Sequence, residues 1–132
     1  MMKTRKMKTA FEKLEVYQLP ERLADAIWDM ALGWNSFAKD TVGKQLVRAA
    51  DSIGANIAEG YGRGTGADNR RFVRTARGSL NETQHWLRRA YRRDLMSNAQ
   101  VSLLKPLVEE LGPRLNAYLK SIRMRSDDSS SR

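Results

Sequence analysis

Apolar residues recur at intervals of three and four along most of this chain, with polar residues between them. From residue 16 to residue 37 the apolar positions are Val16, Leu19, Leu23, Ile27, Met30, Trp34 and Phe37, and Glu21, Arg22, Asp25 and Asp29 fall opposite. Positions spaced this way share one stripe of an α-helix, so the pattern predicts a first amphipathic helix over 14–38. Pro20 sits near its first turn, where a missing N–H matters little. A second helix, over 41–61, carries Val42, Leu46, Ala49, Ile53 and Ile57 on one stripe, with Asp40 or Thr41 as its cap. The run Gly62-Arg-Gly-Thr-Gly66 then breaks the pattern.

Thr65 with Asp68 opens a third helix over 66–94, whose apolar half holds Phe72, Val73, Ala76, Leu80, Leu87 and Tyr91. Ser97 with Gln100 repeats the capping pattern before a fourth helix over 98–123, striped by Leu104, Leu107, Leu111, Leu115, Tyr118 and Ile122. Pro106 and Pro113 project from its polar side, so a bend is expected there, a break after Gly112 being the alternative. No segment alternates with the period of a strand. The expected fold is all-α, an up-and-down four-helix bundle over 11–123, between a basic flexible arm (1–10) and a disordered tail (124–132).

Charge narrows the function. The 132 residues include 24 Lys+Arg and 15 Asp+Glu, a net charge of +9. Such an excess calls for an anionic partner: nucleic acid, an anionic membrane surface or an acidic protein. The absence of cysteine excludes a disulfide scaffold, thiol catalysis and cysteine-ligated metals, and a single histidine excludes a His-rich site. No apolar run approaches the roughly 18 residues of a membrane span. The start carries Lys3, Arg5, Lys6 and Lys8 without the apolar stretch of a secretory signal, so the cytoplasm is the expected compartment.

The basic residues are concentrated on the third helix. At about 100° per residue, Arg70, Arg74, Arg77, Arg88 and Arg92 share one face with Asn81, Gln84 and His85, flanked by Arg71, Arg89 and Arg93. Only Glu82 interrupts this surface between Asn69 and Arg93. A solvated helix face ordinarily mixes both signs, because opposite charges one turn apart stabilise it. Eight arginines in this arrangement repel one another unless an anion lies against them, and guanidinium forks suit phosphate or carboxylate. Two readings stay open. The arginines bind a phosphate backbone, or they meet acids of a neighbouring subunit or protein, of which Glu21, Asp25 and Asp29 form one available stripe.

Other constellations carry less. Glu82-x-x-His85 has the spacing of a di-iron ligand pair, but such sites need a second copy and further inward glutamates, and this histidine lies on the arginine face. The glycines at 62, 64 and 66 lack a preceding strand and the spacing of a nucleotide fingerprint, so they read as an interhelical turn. No catalytic set and no cofactor site emerges, and a non-enzymatic protein is expected. On the second helix Gly54, Ala55 and Ala58 permit close packing, and Asn56 beside the apolar stripe calls for defined hydrogen bonds.

These residues also carry a family resemblance. The segment Gln45-Leu-Val-Arg48-Ala-Ala-Asp-Ser52-Ile53-Gly-Ala-Asn56-Ile57-Ala58-Glu59-Gly60 closely resembles the signature of the 23S rRNA intervening-sequence family of four-helix bundle proteins. A second block is Arg71-Phe72-Val-Arg-Thr-Ala76-Arg-Gly78-Ser79-Leu80-Asn-Glu82-Thr, and the opening resembles Phe11-Glu-Lys-Leu14-Glu-Val16-Tyr17-Gln18. The likeness spans roughly residues 11 to 122. It departs at Val42-Gly43, where the family has a Gly-Leu pair, and at Arg93-Asp-Leu-Met-Ser97, where a Gly-Tyr turn is usual.

The resemblance implies a small bacterial bundle assembled into a ring-shaped homo-oligomer, a pentamer first, with no catalytic activity. A related group serves as accessory proteins to reverse transcriptases of diversity-generating retroelements, so nucleic acid and a reverse transcriptase are implied partners. The residues carried over as structural or interface positions are Arg48, Ser52, Asn56, Glu59, Gly60, Phe72, Ala76, Gly78, Ser79 and Glu82. Self-association is also expected from Trp28, Trp34, Trp86, Tyr17 and Tyr61, which add aromatic bulk around the stripes.

Overall fold

The computed structural model describes residues 10–123, and every regular element among them is helical. The arm expected over 1–10, Ala10 aside, and the tail expected over 124–132 lie outside the described residues. A short 3-10 turn, Phe11–Lys13, leads into α1, Glu15–Leu32. Then come α2 (Lys44–Tyr61), α3 (Gly66–Arg92) and α4 (Asn98–Ser121). Each long helix packs on two others: α1 on α2 and α4, and α3 on α2 and α4, so α1 and α3 face each other only across the diagonal. Four helices thus enclose one core of Leu23, Ile27, Leu46, Ile53, Ile57, Val73, Leu111 and Leu115, all essentially shut off from solvent. No described helix is long and apolar enough to cross a membrane.

The first connection differs from the sequence expectation. The first helix stops at Leu32 rather than at 38, because the Asn35 side chain accepts a hydrogen bond from the Ala38 N–H at 3.0 Å and starts a new helical turn, Ser36–Ala38. Asparagine is among the strongest N-caps, and here it wins over continued helix. Asp40 and Thr41, expected to cap the second helix, instead lie inside a π-helical turn, Lys39–Gly43, where the Lys44 N–H reaches back to the Lys39 carbonyl. The restart also changes which residues face inward. Ala38 and Val42 are buried, while Phe37, expected on the core stripe, is 78% exposed.

Pro20 falls in the second turn of α1, not the first, and is itself buried. Pro106 and Pro113 do not break α4, which is a single helix from Asn98 to Ser121. Its start is a full capping box: Ser97 N–H to Gln100 Oε1 at 2.9 Å and Gln100 N–H to Ser97 Oγ at 3.1 Å. Thr65 caps α3 by accepting from the Asp68 N–H at 3.2 Å. At the other end of α3 the chain turns through Asp94, whose φ of 60° is the one positive value among the described non-glycine residues. The Trp34 indole N–H donates to the Leu95 carbonyl at 2.8 Å, tying this corner to the end of α1.

Candidate nucleic-acid interface

The family-motif residues assemble mostly into the contact between α2 and α3. Gly60 lets the helices approach until a side chain there would meet Phe72 Cβ at 2.8 Å and Asn69 Oδ1 at 2.7 Å. Further along, Ser52 Oγ lies 2.9 Å from Ser79 Oγ across the interface, and Asn56 Nδ2 donates to the Ser52 carbonyl and hydroxyl at 2.8 and 3.1 Å. Ser79 donates to the Thr75 carbonyl, and the fully buried Thr83 donates to the Ser79 carbonyl at 2.8 Å. Asn56 thereby obtains the defined bonds that its position demanded. Ala76 is buried in the core. Glu59 pairs with Arg63 at 2.8 Å, and both Arg63 and Arg71 lie over the Phe72 ring, at 4.8 and 4.7 Å from its centroid. Arg48 and Gly78 are exposed, and nothing lies within 4 Å of a side chain built at Gly78.

The eight arginines of α3 and its C-cap, Arg93, divide into two groups. Three have work inside the fold. Arg70 Nη1 donates to the Leu119 carbonyl at 2.7 Å and satisfies an acceptor in the last turn of α4. Arg77 Nη1 donates to Asn116 Oδ1 at 3.0 Å, and Arg71 pairs with Asp68 at 3.2 Å. The other five, Arg74, Arg88, Arg89, Arg92 and Arg93, make no hydrogen bond or ion pair with any described residue. Arg88 and Arg92 stand one turn apart with like charge, an arrangement that costs a helix a few tenths of a kcal/mol. Sequence periodicity put all eight on one surface; it could not distinguish Arg70 and Arg77, whose partners on α4 are 49 and 39 residues away.

Glu82, the lone acid of this surface, accepts from the Trp86 indole at 3.3 Å, and the exposed His85 packs edge-on to Trp86. No group of acids and histidines among the described residues could hold a metal ion.

A cleft of about 530 Å³ opens beside the arginine surface, between α3 and α4 near their connecting turn. Leu87, Tyr91, Met96, Leu104 and Val108 form its floor, and Arg88 and Lys105 stand at its edge. Tyr91, expected on the apolar half of α3, is 55% exposed here, because Ala90 takes the buried position at the end of the helix.

Acids gather elsewhere. Glu21, Asp25 and Asp51 line a recess between α1 and α2 together with Tyr17 and Gly54. Burial first, then the charge of Asp25, pushes the Asp51 carboxyl above its ordinary value, and burial with Glu21 raises the Tyr17 phenol. None of these acids pairs with a cation in the described chain. Asp51 had no signature in the sequence, since its meaning depends on Asp25 from another helix. Among the described residues, the one ion pair that bridges distant helices joins Arg114 of α4 to Glu15 at the start of α1, with Glu110 alongside at 2.8 Å.

The family model described as "23S rRNA-intervening sequence protein" matches residues 12–117. A crystal structure of a protein of unknown function from the S23 ribosomal protein family of Bacteroides thetaiotaomicron superposes with a TM-score of 0.70 at 24% identity. The match covers 80% of this chain and 99% of that one. At that identity the likeness shows the shared fold. No curated protein matches the chain significantly.

Proposed function

Taking as premise that this chain belongs to the 23S rRNA-intervening sequence protein family, we propose that it is a basic, non-enzymatic helical module that binds nucleic acid, RNA foremost, through the outer surface of α3. The observation that carries this reading is the set of five arginines on α3 and its C-cap that make no ion pair with any described residue. Self-repulsion on that surface is relieved when phosphates lie against it, and guanidinium forks bind phosphate in two-pronged fashion. No motif on α3 reads base edges, so the reading includes little sequence preference. It also includes assembly of several copies into a closed ring, five being the number the family resemblance implies. The exposed Trp28, Leu32 and Phe37 support such self-association.

The test replaces Arg74, Arg88, Arg89 and Arg92 with glutamine, sparing Arg70 and Arg77 because they hold α4. Binding of a labelled RNA is measured across a salt series. Each phosphate contact contributes about 0.7 to 0.9 to the slope of log affinity against log salt. The quadruple variant should therefore bind more weakly and lose roughly 3 units of slope if each arginine meets one phosphate. Unchanged affinity and slope would overturn the reading. A second reading rests on the unpaired acids of α1 and α2: Asp25 and Asp51 of one copy receive arginines of the next. In that case the same variant falls apart into smaller species while RNA affinity stays as it was.

A further inference from the structure

We infer that the cleft between α3 and α4 receives unstacked nucleobases, with Tyr91 as the stacking platform, so that the nucleic acid bound at α3 is single-stranded. This rests on the nucleic-acid reading above and specifies the ligand. The cleft and the arginine surface share a wall: Tyr91 lies between Arg88 and Arg92 in the sequence of α3, and Arg88 itself borders the cleft. Both arginines lack partners among the described residues, whereas Lys105 on the opposite edge is already tied to Glu109 at 3.9 Å. A strand with its phosphates along Arg88 and Arg92 has its bases directed either outward or over this edge. Over the edge they meet an apolar floor and a phenol ring that is 55% exposed.

Size and chemistry agree with that occupant. The α3 wall runs from Gln84 to Tyr91, roughly 10 Å at 1.5 Å per residue. Bases stack at about 3.4 Å, so this length takes a short stack of bases. Sites that hold single strands without sequence preference pair a cationic track with aromatic rings, because every base offers a π-face and every nucleotide a phosphate. A duplex keeps its bases stacked inward and could use the arginines but not the cleft. Gln84, at the far end of the wall, offers an amide to a base edge.

The experiment compares a labelled mixed-sequence single-stranded RNA with the corresponding duplex, on the full chain and on Tyr91→Ala, Tyr91→Phe and the arginine quadruple variant. Circular dichroism checks that each variant is folded. Loss of one stacked base should weaken single-strand binding by Tyr91→Ala about 5- to 150-fold, with the salt slope unchanged because no phosphate contact is removed. Tyr91→Phe should bind like the parent, and duplex binding should be indifferent to either Tyr91 change. A 2-aminopurine placed in the single strand should change its fluorescence on binding to the parent and not to Tyr91→Ala. Single-strand affinity unaffected by Tyr91→Ala, or equal losses for single strand and duplex, would overturn the inference. So would a drop in oligomer mass caused by Tyr91→Ala, which would make the cleft a contact between copies. If the arginine variant weakens binding while Tyr91→Ala does not, only the cleft assignment falls. If neither weakens it, the nucleic-acid reading falls as well.

Discussion

Gly60 and Gly78 each belong to one of the two family blocks, yet their surroundings predict opposite responses to one added methyl group. At Gly60 a Cβ would stand 2.8 Å from Phe72 Cβ, 2.7 Å from Asn69 Oδ1 and 3.1 Å from the Asn69 carbonyl oxygen. Ordinary carbon–carbon contact begins near 3.5 Å, so α2 and α3 would have to part by roughly 0.7 Å at this level. Asn69 can swing its amide aside; Phe72 Cβ is fixed to its backbone and cannot. Overpacking of this kind costs about 1 to 3 kcal/mol, more than the half to one kcal/mol that alanine regains over glycine in a helix. Net of that gain the loss is roughly 0.5 to 2 kcal/mol, so Gly60→Ala should lower the melting temperature by about 2 to 8 °C for a chain of this length. Gly78 has no neighbour within 4 Å and lies inside α3, so Gly78→Ala should gain about 0.5 to 1 kcal/mol and melt a few degrees higher. Thermal unfolding of both variants followed by circular dichroism measures the difference. A Gly60→Ala protein as stable as the parent would refute the claim that backbone proximity is what requires glycine there.

Three further outcomes follow from single contacts. Trp34→Phe keeps most of the ring but abandons the Leu95 carbonyl, and it should destabilise the protein by about 1 to 3 kcal/mol in urea unfolding, the cost of a stranded acceptor. Arg70→Gln removes the shorter of the two hydrogen bonds to the Leu119 carbonyl and leaves only that from the Ile122 N–H at 3.3 Å, so amide hydrogen exchange in the last turn of α4 should quicken while Arg74→Gln leaves it unchanged. Asp51 binds a proton more readily in the folded chain than in the unfolded one, chiefly through burial and then through Asp25. Its contribution therefore declines as pH rises from the ordinary aspartate value near 4 through the higher folded value. Asp51→Asn should be the more stable protein at pH 7, and urea unfolding below about pH 4 should show the advantage gone.

What could be read from the sequence was whatever depends on neighbours within a turn or two. The periodicity located the four long helices, and Ser97-x-x-Gln100 specified a capping box that forms with both halves in place. The stripe of α2 is buried as its spacing required. Failures came where two local preferences compete or where a distant element decides. Trp34 and Phe37 continue the rhythm of α1, but Asn35 caps a new turn and the rhythm restarts out of phase. Tyr91 has the spacing of a core residue, yet Ala90 takes the buried position at the end of α3 and leaves Tyr91 in the open. The same holds for the arginine surface, where the face was legible and the division of labour was not. Whether a guanidinium is free depends on a carbonyl at Leu119 or an amide at Asn116.

The π-turn at Lys39–Gly43 gives the chain a place where its length can change without consequence for the core. Elsewhere in a helix, removal of one residue turns everything beyond it by about 100° and carries the apolar stripe out of the interior. Here the Lys44 N–H already spans five residues to reach Lys39. Deleting Asp40, an exposed residue inside that loop of backbone, would shorten the span to an ordinary α-helical turn and leave Leu46, Ile53 and Ile57 facing inward as before. A chain that can shed a residue at this joint has room for the connection between α1 and α2, with the exposed Phe37 in it, to be reshaped while the packed helices stay in register.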